Sequence, residues 1–188
     1  MAFMRSAVTI ASGILDMNSS AMPPHTVNPH TINPLDGVIR DGKHHQQVRV
    51  YYEDTDFSGI VYHASYLRFR ERGRTNYLRL IGADHRALFE QAEAEAPGFA
   101  FVVRHMGIDF RKPARMDDVL DVLTTPEEVK GASAMLHQQV MRDGELLVEA
   151  RVQAAFISAG RARPIPKPLR IAMKADQEAG GPAAASAL

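Results

Sequence analysis

The sequence predicts an α+β domain in which one long helix packs against an antiparallel sheet. Three observations carry this. The element order is strand, long helix, then four or more strands, with no βαβ repeat. A stretch of about 20 residues places apolar side chains at spacings of three and four, the period of a helix face. The strands that follow alternate apolar and polar residues, and Asp143-Gly144 between two of them is a hairpin turn pair.

The elements follow in order. Gln47 to Glu53 alternates, with Val48, Val50 and Tyr52 on one face, and reads as a half-buried strand. A glycine-containing loop spans Asp54 to Val61. A helix is expected from Tyr62 to Ile81, because Tyr62, Tyr66, Phe69, Gly73, Tyr77 and Leu80 share one face. Gly73 costs about 1 kcal/mol there relative to alanine, so its presence points to close approach by another backbone element. Gly82 suits the helix C-terminus. A shorter helix is expected from Asp84 to Ala94. Strands are expected over Phe99–Arg111, Val119–Lys130, Ser133–Arg142 and Glu145–Ser158. In the first of these, Phe99, Phe101 and Val103 face one way, while Val102, Met106, Ile108 and Phe110 face mostly the other. After Pro164, Pro166 and Pro168, a short edge strand is expected at Leu169–Met173.

These elements divide the 188 residues into a 1–45 extension without regular structure, a 46–174 domain and a 175–188 tail. Both ends are rich in breakers and poor in apolar periodicity. The run Ala7–Leu15 behind Arg5 is short and interrupted by Asp16, a weak signal-peptide pattern, and Met17 and Met22 are alternative starts.

Composition removes several function classes. Lys and Arg total 22 and so do Asp and Glu, which argues against a nucleic-acid partner. The absence of cysteine excludes disulfides, a thiolate metal site and a cysteine nucleophile, and fits a reducing compartment. No stretch approaches the roughly 20 apolar residues of a transmembrane helix. The eight histidines lack helical metal-ligand spacing, so no metal and no other cofactor is expected.

The chemistry concentrates at the loop before the long helix. Asp54 and Asp56 stand just ahead of a helix N-terminus, whose first N–H groups have no intrahelical partners and carry the positive end of the dipole. A carbonyl docked there is polarised, and a nearby carboxylate can attack it or activate water. Taken alone, Asp56 could equally close an Asx turn.

The segment Tyr52-Glu53-Asp54-Thr55-Asp56-x-x-Gly59-x-Val61-Tyr62-His63-x-x-Tyr66-Leu67 resembles the signature of the 4-hydroxybenzoyl-CoA thioesterase superfamily. Within it, the likeness is greatest to the acyl-CoA thioesterases associated with the Tol-Pal system. It continues through Phe69, Glu71-Arg72, Arg74 and Thr75, then Pro113-Ala114-Arg115-x-Asp117-Asp118 and Arg163-Pro164-Ile165-Pro166. The resemblance implies a hotdog fold, a cytoplasmic hydrolase of acyl-CoA thioesters and a dimer or tetramer joined edge to edge, with the site between subunits. It implies Asp56 as the catalytic carboxylate and the His63 N–H as the group that polarises the thioester. It places substrate contacts at Gly59, Val61, Tyr62, Tyr66 and Arg115. An acyl-carrier protein is the alternative thioester donor.

Several residues carry plainer expectations. Asp54 holds the loop or orients Asp56, Glu71 pairs with an arginine, and Tyr62 and Tyr66 suit core or interface. The basic clusters Arg111-Lys112-Arg115 and Arg161-Arg163-Lys167 read as solvated surface, with contact between one of them and CoA phosphates as the alternative. Phe57 and Ser58 stand where relatives often carry smaller residues. Arg70 stands where they carry aromatic or apolar ones, and the fold predicts that it faces out. The rival functions are a non-catalytic module binding acyl-CoA or a carrier protein, a magnesium-dependent phosphohydrolase built on Asp54-x-Asp56, and a hotdog hydratase. The strands after the helix argue against the phosphohydrolase, and the hydratase motif is not found.

Overall fold

A computed structural model describes residues 34–82 and 100–181. The helix expected at Asp84–Ala94 lies outside these residues. The strands are β1 (Val38–Arg40), β2 (Lys43–Arg49), β3 (Ala100–Phe110), β4 (Val119–Val129), β5 (Ser133–Arg142), β6 (Glu145–Ser158) and β7 (Arg161–Ala162). Helices are α1 (His63–Leu80) and α2 (Lys167–Gly180). The strands form one antiparallel sheet in the order β1-β2-β4-β5-β6-β3, with β7 on β6. The sheet carries α1 against one face, which is the hotdog arrangement.

Helix α1 buries Tyr66, Phe69, Gly73 and Tyr77 of the stripe the periodicity predicts, while Tyr62 caps the helix half exposed and Leu80 is only partly covered. Gly73 makes a close approach possible, to strand side chains rather than to the backbone expected. A Cβ there would stand 3.1 Å from Val122 Cγ1 and 3.2 Å from Thr124 Oγ1. Phe69, Tyr66, Val50, Val122, Val140 and Val148 make one core cluster, while Tyr77, Leu136, Phe156, Ile165, Leu169 and Met173 make a second. Ile81 caps α1, and Gly82 follows with φ +86°. Asp143 and Gly144 both take positive φ, as the hairpin demands.

The split facing expected for β3 is resolved by a bulge between Val103 and His105. The extra residue reverses parity. Phe101 and Val103 therefore lie opposite Phe156 and Ala154, and Met106, Ile108 and Phe110 opposite Val152, Ala150 and Val148, all toward the core side of β6.

Four expectations are corrected. The limits at 46 and 174 fall inside regular structure, because β1 and the start of β2 precede the first and α2 passes the second. The polar sequence of β2 hides it: His44 is fully buried with its Nε2 2.7 Å from the Asp36 carbonyl. The strand expected through Glu53 ends at Arg49, and Tyr52–Asp54 forms a 3-10 turn that leaves Tyr52 exposed. Leu169–Met173 is helical. Pro168 sits in the first turn, where its missing N–H costs nothing, and Leu169 and Met173 bury one i, i+4 edge. Finally, Arg70 faces inward and is fully buried.

Candidate functional site

The loop between β2 and α1 is fixed at many points. The Asp56 N–H donates to Ile60 O at 3.0 Å, the Gly59 N–H donates to Asp56 O at 2.9 Å, and Thr55 bridges to Val61. Gly59 has φ +72°, a conformation glycine adopts without a Cβ penalty. The Val61 N–H reaches across to Ala114 O at 2.8 Å, tying the loop to the segment before β4.

Asp54 sits under this loop and is buried. Its Oδ2 accepts from the Tyr51 N–H at 3.0 Å and its Oδ1 lies 3.7 Å from Arg68 Nη2. Its carbonyl accepts from the Tyr62 N–H at 2.8 Å and from Ser65 Oγ–H at 3.0 Å, which sets the start of α1. Asp54 therefore positions the backbone.

Asp56 has the opposite character. Its carboxylate is exposed, and Oδ1 accepts from the Ser58 N–H at 2.8 Å and from the Ser58 hydroxyl. Those two donors, the hydroxyl first, hold its carboxyl below the usual range, with a smaller contribution from His63. This is the Asx turn that the sequence left open. It does not compete with chemistry, because it fixes an ionised carboxylate beside the helix start. The N–H groups of His63 and Ala64 precede the first intrahelical bond of α1 and face the same end. Tyr62 is half exposed, and its ring lies 4.3 Å from that of His63, centroid to centroid.

The structure thus brings Asp56, Gly59, Val61, Tyr62 and His63 together. Arg115 lies in the neighbouring loop, with its side chain exposed and its N–H donating to Asp118 Oδ2 at 2.8 Å. Tyr66 departs from the group. It is 2% exposed, packs edge-on against Phe69 and Phe110, and its hydroxyl accepts from the Ala114 N–H at 3.0 Å. Burial raises its pKa. Within this chain it supports the loop rather than lining an open surface.

Two contributors went unrecognised in the sequence. Ala114 carries both backbone groups that brace the site, and no side-chain pattern signals a backbone brace. Ser58 could have been found from the Asp-x-Ser spacing, which suits an i, i+2 side-chain turn. Of the basic residues considered for phosphates, Arg111 pairs with Glu149 at 2.7 Å and Lys112 with Glu145. Glu71 pairs with Arg74. Among the described residues no group of three or more His, Asp and Glu side chains could hold a metal ion, and no helix is long and apolar enough to cross a membrane.

Comparison with known proteins identifies the family. Residues 50–173 match the thioesterase-like superfamily. The acyl-CoA thioesterase YbgC of Haemophilus influenzae is 43% identical over 124 residues, covering 66% of this chain and 88% of the relative. The acyl-CoA thioester hydrolase YbgC of Escherichia coli O6:H1 is 42% identical over 118 residues, covering 62% and 84%. The crystal structure of a probable thioesterase from Bartonella henselae superposes with a TM-score of 0.56 at 42% identity, covering 66% of this chain and 98% of that one. Because the match runs from Val50 through the Asp56 loop, α1 and β3–β6 to Met173, the chain belongs to the thioesterase-like superfamily.

Proposed function

We propose that the protein hydrolyses acyl-CoA thioesters to a free acid and CoA. The observation that carries this reading is the exposed, hydrogen-bonded Asp56 carboxylate beside the open N-terminus of α1. The thioester carbonyl docks at the His63 N–H, where the helix dipole stabilises the developing oxyanion. Asp56 attacks the carbonyl to give a mixed anhydride, or takes a proton from an attacking water. Either route needs the carboxylate ionised, and the two Ser58 donors favour that form. Gly59, Val61 and Tyr62 shape the backbone around the reacting carbon, and Arg115 is the basic side chain for a CoA phosphate. Tyr66 acts behind them through Ala114.

We assign the working unit to a homodimer, with a homotetramer as the larger assembly. Strand β3 supports this: it ends the sheet, is 11 residues long and pairs only with β6 among the described residues. Such an edge invites pairing with a second copy. A cytoplasmic setting and a Tol-Pal association belong to the same reading. Acyl-CoA is the substrate in this reading, with an acyl-carrier protein as the alternative donor.

The test is release of thiol from a panel of acyl-CoAs, followed with a disulfide dye, beside Asp56→Asn. The chain has no cysteine and adds no background. Turnover falling on the order of a hundredfold or more in the variant is expected if its base role dominates. Near wild-type turnover by Asp56→Asn would refute the assignment. A folded protein that cleaves no CoA ester would move the reading to a carrier-protein substrate or to binding alone.

A further inference from the structure

The chain is neutral overall, with 22 Lys and Arg against 22 Asp and Glu, but its charge is segregated. Between Ser158 and Asp176 it carries Arg161, Arg163, Lys167, Arg170 and Lys174 and no Asp or Glu. On the sheet, by contrast, cations are matched: Arg111 with Glu149, Arg142 with Asp118 and Arg151 with Glu127. Among the described residues, none of the cations between Ser158 and Asp176 takes part in an ion pair or a side-chain hydrogen bond. Arg170 is half-buried and the other four are exposed.

Helix α2 turns this stretch into a face. Leu169 and Met173 are buried on one side of the helix, and on that side Asp176 accepts from the Tyr77 hydroxyl at 2.9 Å. The opposite side carries Lys167, Ile171, Lys174 and Glu178, at the spacing of a single helix stripe. Ile171 is 58% exposed and stands between the two lysines, which are about 10 Å apart along the axis. Glu178 ends the stripe one turn further on, while Arg161 and Arg163 lie in the segment that leads into it. The helix meets α1 at Tyr77, roughly 20 Å along α1 from His63, so this face lies at the far end of α1 from the Asp56 loop.

We propose that the exposed face of α2 docks the protein on an anionic phospholipid surface, with the lysines and arginines on headgroup phosphates and Ile171 between them. The charges lie along a convex ridge rather than around one point, which suits an extended array of phosphates better than a single phosphate ion. An exposed isoleucine among lysines adds an apolar contact that a purely electrostatic partner does not need. A bilayer meets both features, offering phosphates at any spacing and acyl chains just beneath them. The long cationic side chains reach past the helix surface to the headgroups. The apolar edge of α2 is already engaged in the core, so the contact is shallow and reversible. The proposal is independent of the thioesterase reading, because it uses none of the side chains assigned to that chemistry.

The experiment is sedimentation of the full-length protein with vesicles of phosphatidylcholine alone and of phosphatidylcholine mixed with phosphatidylglycerol. Wild type is expected to sediment with the anionic vesicles at low salt, to be released at high salt, and to ignore the neutral ones. Lys167→Gln/Lys174→Gln lowers the partition coefficient on the order of tenfold, since each lysine near the surface counts for about fivefold. Ile171→Asn weakens binding severalfold and leaves its salt dependence unchanged, because no charge is lost. All three positions are exposed, and an unchanged Tm establishes that the variants fold. Equal sedimentation with neutral and anionic vesicles, none with either, or wild-type binding by either variant overturns the proposal. Soluble polyglutamate that raises the Tm of wild type but not of the lysine variant, with no vesicle binding, would assign the face to an acidic protein and overturn it as well.

Discussion

Replacing Tyr66 with phenylalanine tests how the core supports the site. The hydroxyl accepts from the Ala114 N–H at 3.0 Å, and Ala114 is fully buried. Removing the oxygen leaves that N–H without an acceptor and out of reach of water. An orphaned buried donor costs about 1–3 kcal/mol. Phenylalanine keeps the ring against Phe69 and Phe110, so little packing is lost. For a domain of this size the cost corresponds to a Tm drop of about 2–12 °C. Urea unfolding should show a lower midpoint with an unchanged slope. Because Ala114 O also holds the Val61 N–H at 2.8 Å, the loop loosens and kcat falls modestly, severalfold at most. Unchanged stability with a large loss of kcat would refute this reasoning and return the hydroxyl to the substrate.

Two further substitutions follow from the same geometry. Ser58→Ala removes the largest influence that lowers the Asp56 carboxyl. The carboxylate then needs a higher pH to ionise, so the acidic limb of the kcat/KM profile shifts upward in pH, and an unmoved limb would show that another group sets it. Gly73→Val forces a branched side chain where a single Cβ already stands 3.1 Å from Val122 and 3.2 Å from Thr124. Denaturant titration should register a loss of about 1–3 kcal/mol, whereas a neutral result would mean that α1 can lift off the sheet freely.

Much of the fold is legible in the sequence because its signals are local. The alternation of β6, the Asp143-Gly144 turn and the stripe of α1 each follow from a few neighbouring residues. The losses are long-range. Nothing local in Lys43-His44-His45-Gln46-Gln47 marks a strand, since β2 is held by its pairing with β4 and by the burial of His44. The bulge in β3 is likewise visible only against β6. Leu169–Met173 alternates like an edge strand in the sequence, and packing of Leu169 and Met173 with Tyr77, Val129 and Ile165 favours the helix instead. In the candidate site, Asp56 and the helix start could be found from spacing and resemblance. The braces at Ala114 could not, because backbone groups carry no residue identity. Arg70 is misplaced because the expected fold turns that position outward, and no local pattern marks an arginine as buried.

The exposure of Asp56 itself implies a dependence on concentration. A carboxylate in open water is well solvated, and the field of a helix N-terminus is weak in a high dielectric. The proposed chemistry therefore needs water excluded from above the loop. Within one chain nothing described does this: Phe57 is fully exposed, Tyr51 and Tyr52 are largely uncovered and Tyr62 is half exposed. Four exposed aromatic side chains in one loop region form the kind of apolar surface that a second subunit covers. If association through β3 completes the site, specific activity is constant while the dimer persists and falls on dilution as it dissociates. The fall should coincide with the mass change seen by sedimentation, and saturating acyl-CoA should shift both to lower concentration, since a ligand that bridges the dimer stabilises it. Activity that stays constant per chain after sedimentation reports monomer would mean that a single chain, with substrate alone covering the loop, carries the whole reaction.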